Sequence, residues 1–270
     1  MLMVIFLGVL GLIFGSFSGA TAWRIHKRME AEDAGKRVDR KYSVSRGRSL
    51  CEDCGHELSA LDLIPLLSWL ALRGRCRYCR TKLSWEYPLI ELVTAGLFMV
   101  SYLVLMPTSL GQWLYFGYWL YLVTSLVILA VSDLKWMLLP DVVLLPALVL
   151  ATALALAQVL GGGSAGLLLA GLVAGGAFLA LSVLSGGRGM GMGDVKLAAL
   201  MGVVLGPLHT VMAMLIGFNS AAVVSLGLIV LRRKRAKDHI PFGPFLIAGL
   251  IIALLWGAPI SSWYLHVAGL

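Results

Sequence analysis

Residues 113–160 set the fold class and read WLYFGYWLYLVTSLVILAVSDLKWMLLPDVVLLPALVLATALALAQVL. Two apolar runs, 113–131 and 140–160, each approach the roughly 20 residues that a membrane-spanning helix needs. Asp133 lies between the runs and Asp141 opens the second. A carboxylate at membrane depth costs roughly 2.5 to 3.5 kcal/mol on insertion scales, so we expect a chain that keeps such groups to use them.

The composition extends this pattern to the whole chain. Of 270 residues, 59% are hydrophobic and only 13% are charged, with a mean hydropathy of +0.89, whereas soluble domains carry about 25% charged residues. Apolar runs are predicted at 2–22, 88–106, 113–131, 140–160, 164–185, 194–206, 208–230 and 242–266. The sixth run is short, and we predict either a half-span or a segment joined to the seventh through a break at Gly206-Pro207. The sequence predicts an all-α polytopic membrane protein with about eight transmembrane helices, and it lacks the alternating pattern of a β-barrel.

The basic residues predict the orientation of these helices. Fourteen of the 22 Lys and Arg lie in residues 24–82 and five in residues 232–237, while the loops near 107–112, 161–163 and 207–209 have none. By the positive-inside rule the basic segments face the cytoplasm, with both termini outside. The net charge of +8 is thereby explained by topology and by attraction to anionic lipids, without a nucleic-acid partner.

A cytoplasmic insert, predicted over residues 23–86, carries all four cysteines as Cys51-x2-Cys54 and Cys76-x2-Cys79. Two tight pairs supply the four thiolates of a closed, structural zinc site, and Gly55 and Gly74 would permit tight turns beside them. Disulfides are disfavoured in a reducing compartment; unliganded or redox-active thiols are a further alternative, and His56 is a fifth candidate ligand. Between the pairs, residues 61–70 are predicted either to lie at the membrane surface or to form the core of the insert.

Three aspartates are predicted near the cytoplasmic boundary, and each has a plain structural alternative. Asp141 after Pro140 can cap a helix, and Asp133 can reach water from the end of its span. Asp194 can also be a cap, but Gly189, Gly191 and Gly193 precede it at alternate positions, which indicates backbone that bends sharply or admits another chain.

We predict that Asp133 and Asp194 form a dyad that shares one proton and activates water. In this hypothesis Asp194, at a helix N-terminus, is the base and Asp133, at a helix end, is the acid. Two rival interpretations remain: a proton-coupled transporter, since membrane aspartates often relay protons, and a non-enzymatic scaffold that recruits a partner through the cysteine insert.

The chain resembles the type IV prepilin peptidases, the bacterial branch of the GxGD membrane aspartyl proteases. The motifs that carry the resemblance run in order along the chain: Gly15-Ser16-Phe17, the two cysteine pairs, Asp62-Leu63-Ile64-Pro65, Arg73-Gly74-Arg75-Cys76-Arg77, Tyr87-Pro88-x2-Glu91-Leu92, Asp133 with Leu139-Pro140-Asp141, Gly191-x-Gly193-Asp194-Val195-Lys196-Leu197 and Pro241-Phe242-Gly243-Pro244-Phe245-Leu246.

The resemblance implies cleavage of leader peptides from type IV prepilins or pseudopilins, after a glycine at the cytoplasmic face of the inner membrane. It implies that Asp133 and Asp194 are catalytic, that Asp141 and Lys196 support the site together with Gly191 and Gly193, and that the cysteines bind zinc. It also implies methylation of the new N-terminus with S-adenosylmethionine. The chain departs from the family pattern at Ser18-Gly19-Ala20 and at Glu52-Asp53, both in the part associated with methyl transfer.

The expected organisation is a first transmembrane helix (1–22), the cysteine insert (23–86) and a transmembrane protease core (87–270). The expected partners are the prepilin or pseudopilin substrate and membrane lipids. The sequence gives no indication of oligomeric state.

Overall fold

A computed structural model describes residues 1–44, 47–187, 190–233 and 240–267. The regular secondary structure in these ranges is helical. No β-strand occurs within these ranges, only isolated bridges in the cysteine insert. Seven helices in this described part of the chain are long and apolar enough to cross a membrane. They are α1 (Leu2–Asp33), α3 (Glu86–Leu105), α4 (Leu110–Trp136), α5 (Asp141–Leu160), α6 (Gly166–Leu184), α7 (Met192–Val230) and α8 (Gly243–Val267), and α2 (Leu67–Ala71) is a short helix in the insert. The predicted all-α polytopic fold is confirmed.

The chain forms two compact units, Met1–Ser132 and Asp133–Leu270. In the first unit α1 packs closely against α3, and the close approach depends on glycine. A Cβ added to Gly11 would lie 2.5 Å from the Cα of Ala95, and one added to Gly15 would lie 2.5 Å from the Cα of Glu91. Small residues at a helix contact let backbones approach in lipid, where packing rather than the hydrophobic effect holds helices together.

Helix α1 is longer than the predicted span of 2–22, because it continues to Asp33. The extension is polar and contains neither glycine nor proline. Two ion pairs at helical spacing, Lys27 with Glu30 and Arg28 with Glu32, lie along it. Such pairs favour helix formation at the surface, so the helix does not end where the apolar run ends.

Helix α7 is two antiparallel helices joined at Gly206, where φ is +73° and ψ is −179°. The hydroxyl of Thr210 lies 3.3 Å from the carbonyl oxygen of Met201, whereas nine residues of straight helix would separate these positions by about 13 Å. The rings of Phe178 and Phe218 are also only 6.2 Å apart. Phe218 therefore lies back at the level of the start of α7.

The two limbs of α7, residues 192–205 and 207–230, correspond to the sixth and seventh apolar runs. The eight runs predicted from sequence thus appear as seven helical elements, one of them folded back on itself. Of the two predicted alternatives, the structure has the break at Gly206-Pro207. The first limb packs against α6, where Gly202 meets Ala170, and the second packs against α8, where Gly249 meets Ala213. Both contacts leave no room for a side chain at the glycine.

Candidate active site

Asp133 lies in the last turn of α4, and its side chain is buried. Its Oδ2 accepts a hydrogen bond of 2.9 Å from the backbone N–H of Gly243, the first residue of α8. The N–H groups at the start of a helix have no partner within the helix and carry partial positive charge. A carboxylate that ends one helix is therefore held by the start of another.

Asp194 occupies the third position of α7, and its side chain is half-buried. Its Oδ2 accepts a hydrogen bond of 3.3 Å from the backbone N–H of Gly191, the residue that precedes the helix. Asp194 therefore caps the start of α7, which was the structural alternative considered for this residue. Both aspartates are thus bound through Oδ2 to an N–H at a helix start, and Asp133 alone also lies in the last turn of a helix.

Leu139 lies close to glycines associated with both aspartates. A Cβ on Gly193, next to Asp194, would lie 2.8 Å from the Cβ of Leu139, and a Cβ on Gly243 would lie 3.4 Å from Leu139 Cδ2. Although 60 residues separate the two aspartates in sequence, Leu139 contacts a residue bonded to one, Gly243, and a residue adjacent to the other, Gly193, all within the second unit.

The predicted supporting residues Asp141 and Lys196 form an ion pair with each other. Lys196 Nζ lies 2.6 Å from Oδ1 and 2.7 Å from Oδ2 of Asp141. Asp141 is the first residue of α5, with Pro140 in the capping position, so its side chain is bonded to lysine instead of capping. The pair ties the start of α5 to the first turn of α7, beside Asp194.

The predicted glycines have different surroundings. Gly193 is needed for its close approach to Leu139, as described above. Gly191 has an extended backbone, with φ −78° and ψ 156°, and a Cβ there would meet nothing closer than 3.7 Å. Neither residue has the positive φ that would require glycine, and Gly189 lies outside the described residues.

The four cysteines form one cluster in the first unit, as predicted. Their sulfur atoms all lie within 4.8 Å of one another, and no two of them are joined in a disulfide. Each pair makes the same turn: the N–H of Gly55 donates to the carbonyl of Cys51, and the N–H of Arg80 donates to that of Cys76. Four convergent thiols are a donor set that a soft divalent metal binds tetrahedrally.

The surroundings of Cys76 favour its thiolate. Burial alone would raise the pKa of the Cys76 thiol, but backbone N–H groups of Cys79 and Tyr78, with the thiols of Cys79 and Cys51, outweigh it and bring the pKa to about 7. Burial raises the pKa of Cys51. Thiolate is the form that binds metal. His56 stacks on the ring of Tyr78 with centroids 3.7 Å apart, and the candidate donor set consists of the four cysteines. Gly55 has a positive φ of +69°, whereas the matching position of the second turn is Arg80 at +62°.

Two further carboxylates organise the insert, and sequence reasoning gave neither a role. Asp62 Oδ1 accepts a 2.6 Å hydrogen bond from Arg77, and Oδ2 accepts one from the hydroxyl of Ser59. Glu91 is buried within α3 and accepts a 2.7 Å hydrogen bond from the backbone N–H of Leu66. The only signal for these residues was their place in the motifs that carry the family resemblance.

Comparison with known proteins agrees with this arrangement over most of the chain. Residues 9–105 match the family described as bacterial peptidase A24 N-terminal domain, and residues 120–226 match the type IV leader peptidase family. No solved structure matches the chain.

Several curated relatives are named prepilin leader peptidase/N-methyltransferase. One from Aeromonas salmonicida is 41% identical over 232 residues, which cover 84% of this chain and 77% of the relative. One from Bacillus subtilis is 33% identical over 268 residues and covers 99% of both chains. One from Pseudomonas aeruginosa is 34% identical over 286 residues, covering 97% of this chain and 93% of the relative. The chain is a multi-pass bacterial membrane protein and belongs to the type IV leader peptidase family.

Proposed function

We propose that this protein is a membrane-embedded aspartyl endopeptidase that cleaves the leader peptide from type IV prepilins or pseudopilins. The observation that carries the proposal is the pair Asp133 and Asp194, held in one site by backbone N–H groups of Gly243 and Gly191. Family membership and the names of the relatives support the same reaction. A non-enzymatic scaffold would not need two acids fixed in this way.

The proposed reaction uses the two acids in complementary states. The ionised one, which we assign to Asp194, takes a proton from water while the water oxygen attacks the carbonyl carbon of the scissile bond. The protonated one, assigned to Asp133, gives its proton to the carbonyl oxygen. The carbon–nitrogen bond of the tetrahedral intermediate then breaks, and the amine leaves with the proton that Asp194 had taken. One hydroxyl of the intermediate returns its proton to Asp133 as the carboxylic acid product forms, so both acids regain their starting states. Since both Oδ2 atoms are fixed, each Oδ1 is assigned to water or substrate.

Asp141 and Lys196 are proposed as supporting residues because their ion pair fixes the first turn of α7, which carries Asp194. Gly193 supports the site by allowing Leu139 to approach. Gly191 supports it through its N–H, which donates to Asp194.

We propose Zn²⁺ as the metal of Cys51, Cys54, Cys76 and Cys79. Four thiol donors complete a tetrahedral shell, so the ion would have a structural role and would take no part in peptide cleavage. The insert containing this site is placed on the cytoplasmic side of the inner membrane, because residues 24–82 carry most of the basic residues. The organisation proposed is a first transmembrane helix (1–22), an insert (23–86) and a protease core (87–270).

N-methylation of the new N-terminus is proposed from the names of the relatives alone. S-adenosylmethionine supplies a methyl group to an amine nitrogen in such reactions. The described residues contain no strand followed by a glycine-rich turn, which is the usual nucleotide-binding signal. We therefore derive no methyl-transfer step from the residues of this chain.

The test is to incubate the purified protein in nanodiscs with a synthetic prepilin peptide and to record product masses. A mass loss equal to the leader is expected for the wild type, with a further gain of one methyl when S-adenosylmethionine is added. Asp133→Asn and Asp194→Asn should each lower cleavage by about 10²- to 10⁴-fold, the range of general acid–base catalysis. Asp39→Asn, which alters an exposed aspartate of the insert, is the matched control.

Two results would overturn the proposal. If cleavage survives both aspartate substitutions, Asp133 and Asp194 are not the catalytic pair. Proton-coupled flux without any peptide product would instead favour the transporter. The shared proton is tested separately by the pH–rate profile. Two ionisations are expected for a coupled pair, and a single ionisation that Asp133→Asn leaves unchanged would contradict it.

A further inference from the structure

The segment between the two cysteine pairs exposes an unusual amount of apolar surface. Residues 61–70, LDLIPLLSWL, contain no buried residue. Leu61, Leu67 and Leu70 are 66%, 63% and 55% exposed, and Leu63 and Ile64 are about 40% exposed. Of the two alternatives left by the sequence, a core for the insert would require these side chains to be covered. We call residues 61–70 the apolar segment.

The apolar segment is fixed beside a membrane-spanning helix. The N–H of Leu66 donates to Glu91 Oε2 at 2.7 Å, and Glu91 is the sixth residue of α3. At 1.5 Å of rise per residue, this bond lies about 7.5 Å along the helix from its first residue. The segment therefore lies next to the second turn of a spanning helix, at the depth where an interfacial element inserts its apolar face by about 5 to 10 Å.

The charges around the apolar segment fit the headgroup region. Its only acidic residue, Asp62, is turned inward, with a side chain 4% exposed and bonded to Arg77. Burial alone would raise the pKa of Asp62, but the hydrogen bonds from Arg77 and Ser59 outweigh it and hold the pKa below its usual value. Exposed Arg73 and Arg75 follow the segment within five residues. The apolar segment itself therefore presents no unpaired carboxylate, and two basic residues lie close to it in sequence.

Trp85 lies at the start of the same spanning helix. It precedes the first residue of α3 and is 65% exposed. Tryptophan is enriched at membrane–water boundaries, where its amphipathic ring lies among the headgroups. Beyond it, Leu89 and Leu92 on α3 are also exposed, as expected for side chains that face lipid.

We propose that the apolar segment is an interfacial anchor that inserts Leu61, Leu67 and Leu70 among the acyl chains of an anionic bilayer. Arg73 and Arg75 would contact the phosphates of the same leaflet. The bond between Leu66 and Glu91 sets the depth of the anchor, and Asp62 with Arg77 ties it to the second cysteine pair. The cysteine cluster is thereby held at the membrane surface instead of moving freely in the aqueous phase. Lipid is favoured as the occupant because the exposed leucines continue the lipid-facing surface of α3 and are flanked by basic residues.

The test uses the full-length protein without any label. It is placed in nanodiscs containing phosphatidylglycerol and a phosphatidylcholine with a diazirine in its acyl chain, irradiated, and digested for mass spectrometry. Lipid adducts on residues 61–70 should be as frequent as those on residues 89–93 of α3. They should be at least about tenfold more frequent than adducts on the polar residues 36–42, which lack an apolar face.

A variant separates insertion from general folding. Leu67→Ser with Leu70→Ser removes side chains that are already exposed, so the fold should persist, as checked by bound metal per chain. Adducts on the rest of the segment should fall several-fold while those on 89–93 stay constant. Adducts on 61–70 as rare as on 36–42 in the wild type would overturn the proposal, and so would a yield that the variant leaves unchanged. If the yield of lipid adducts on residues 61–70 were equal in neutral and anionic bilayers, the proposed contact of Arg73 and Arg75 with lipid phosphates would be wrong.

Discussion

The contact between Gly243 and Asp133 gives the sharpest prediction. The N–H of Gly243 holds Asp133 Oδ2 at 2.9 Å, and a Cβ added to Gly243 would lie 2.7 Å from that same oxygen. The substitution Gly243→Ala therefore adds one methyl group against a proposed catalytic carboxylate and leaves both acids in place. Gly243 does not have a positive φ, so alanine meets no backbone strain there.

The size of the effect follows from the overlap. Ordinary contact begins near 3.4 Å, so the carboxylate must move by about 0.7 Å to accommodate the methyl group. Misplacing a catalytic group by about 1 Å can lower the rate by about 100-fold. We expect kcat to fall by about 10- to 100-fold, or about 1.4 to 2.7 kcal/mol of transition-state stabilisation. Stability should change little, because the atom that must give way is the end of a side chain.

The assay is steady-state cleavage of a synthetic prepilin by the reconstituted protein, with the thermal midpoint measured on the same samples. Gly227→Ala is the neutral control, because a Cβ there meets no atom within 4 Å. Gly249→Ala is the folding control, because its Cβ would overlap the backbone carbonyl of Ala213. Only Gly249→Ala should lower the midpoint, and only Gly243→Ala should lower kcat in fully folded protein.

Two outcomes would refute this reasoning. If Gly243→Ala cleaves as fast as Gly227→Ala, the position of the Asp133 carboxylate does not limit the reaction. If it loses activity only together with folded protein, as Gly249→Ala should, the contact is structural. A rise in KM with kcat unchanged would show that the methyl group obstructs substrate instead of displacing the acid.

Other predictions concern the supporting contacts. In a double-mutant cycle with Asp141→Asn and Lys196→Gln, thermal unfolding should give a coupling of only about 0.2 to 1 kcal/mol, since the pair is partly exposed; additivity would show no coupling. Cys76→Ser should lower bound zinc, measured by mass spectrometry, and destabilise residues 47–83 while leaving α5–α8 folded; unchanged zinc would contradict the assigned site. Asp62→Asn should destabilise the insert by about 1.5 to 3 kcal/mol at neutral pH. Because the folded pKa of Asp62 is lowered, the difference from wild type should disappear as the pH falls below about 4, and a constant difference would contradict this cause.

Much of the fold was readable from composition and local pattern. Long apolar runs predict spanning helices because unpaired backbone groups are too costly in lipid for any other structure. The breaker Gly206-Pro207 predicted an interruption between the sixth and seventh runs. The end of α1 was not predicted, because residues 23–33 are polar and helical at once, and hydropathy does not report helix formation in water.

The sequence predicted which residues form the candidate site better than it predicted the contacts between them. Acidic residues beside apolar runs are energetically costly, and closely spaced cysteine pairs are unusual. Asp133, Asp194 and the four cysteines could therefore be selected from the sequence alone. Their partners are backbone N–H groups of Gly191 and Gly243. Both glycines lie in motifs that carry the family resemblance, but the sequence does not indicate that their N–H groups bind the aspartates.

The sequence by itself determined an all-helical membrane protein with a four-cysteine insert and a small set of acids that needed explanation. Tertiary structure alone decided that Gly243 binds Asp133 across 110 residues, that Leu139 contacts both Gly193 and Gly243, and that Leu66 is tied to Glu91. The physical reason is that hydrophobicity and helix formation are summed over neighbouring residues. A single hydrogen bond or close contact depends on where the chain returns in space.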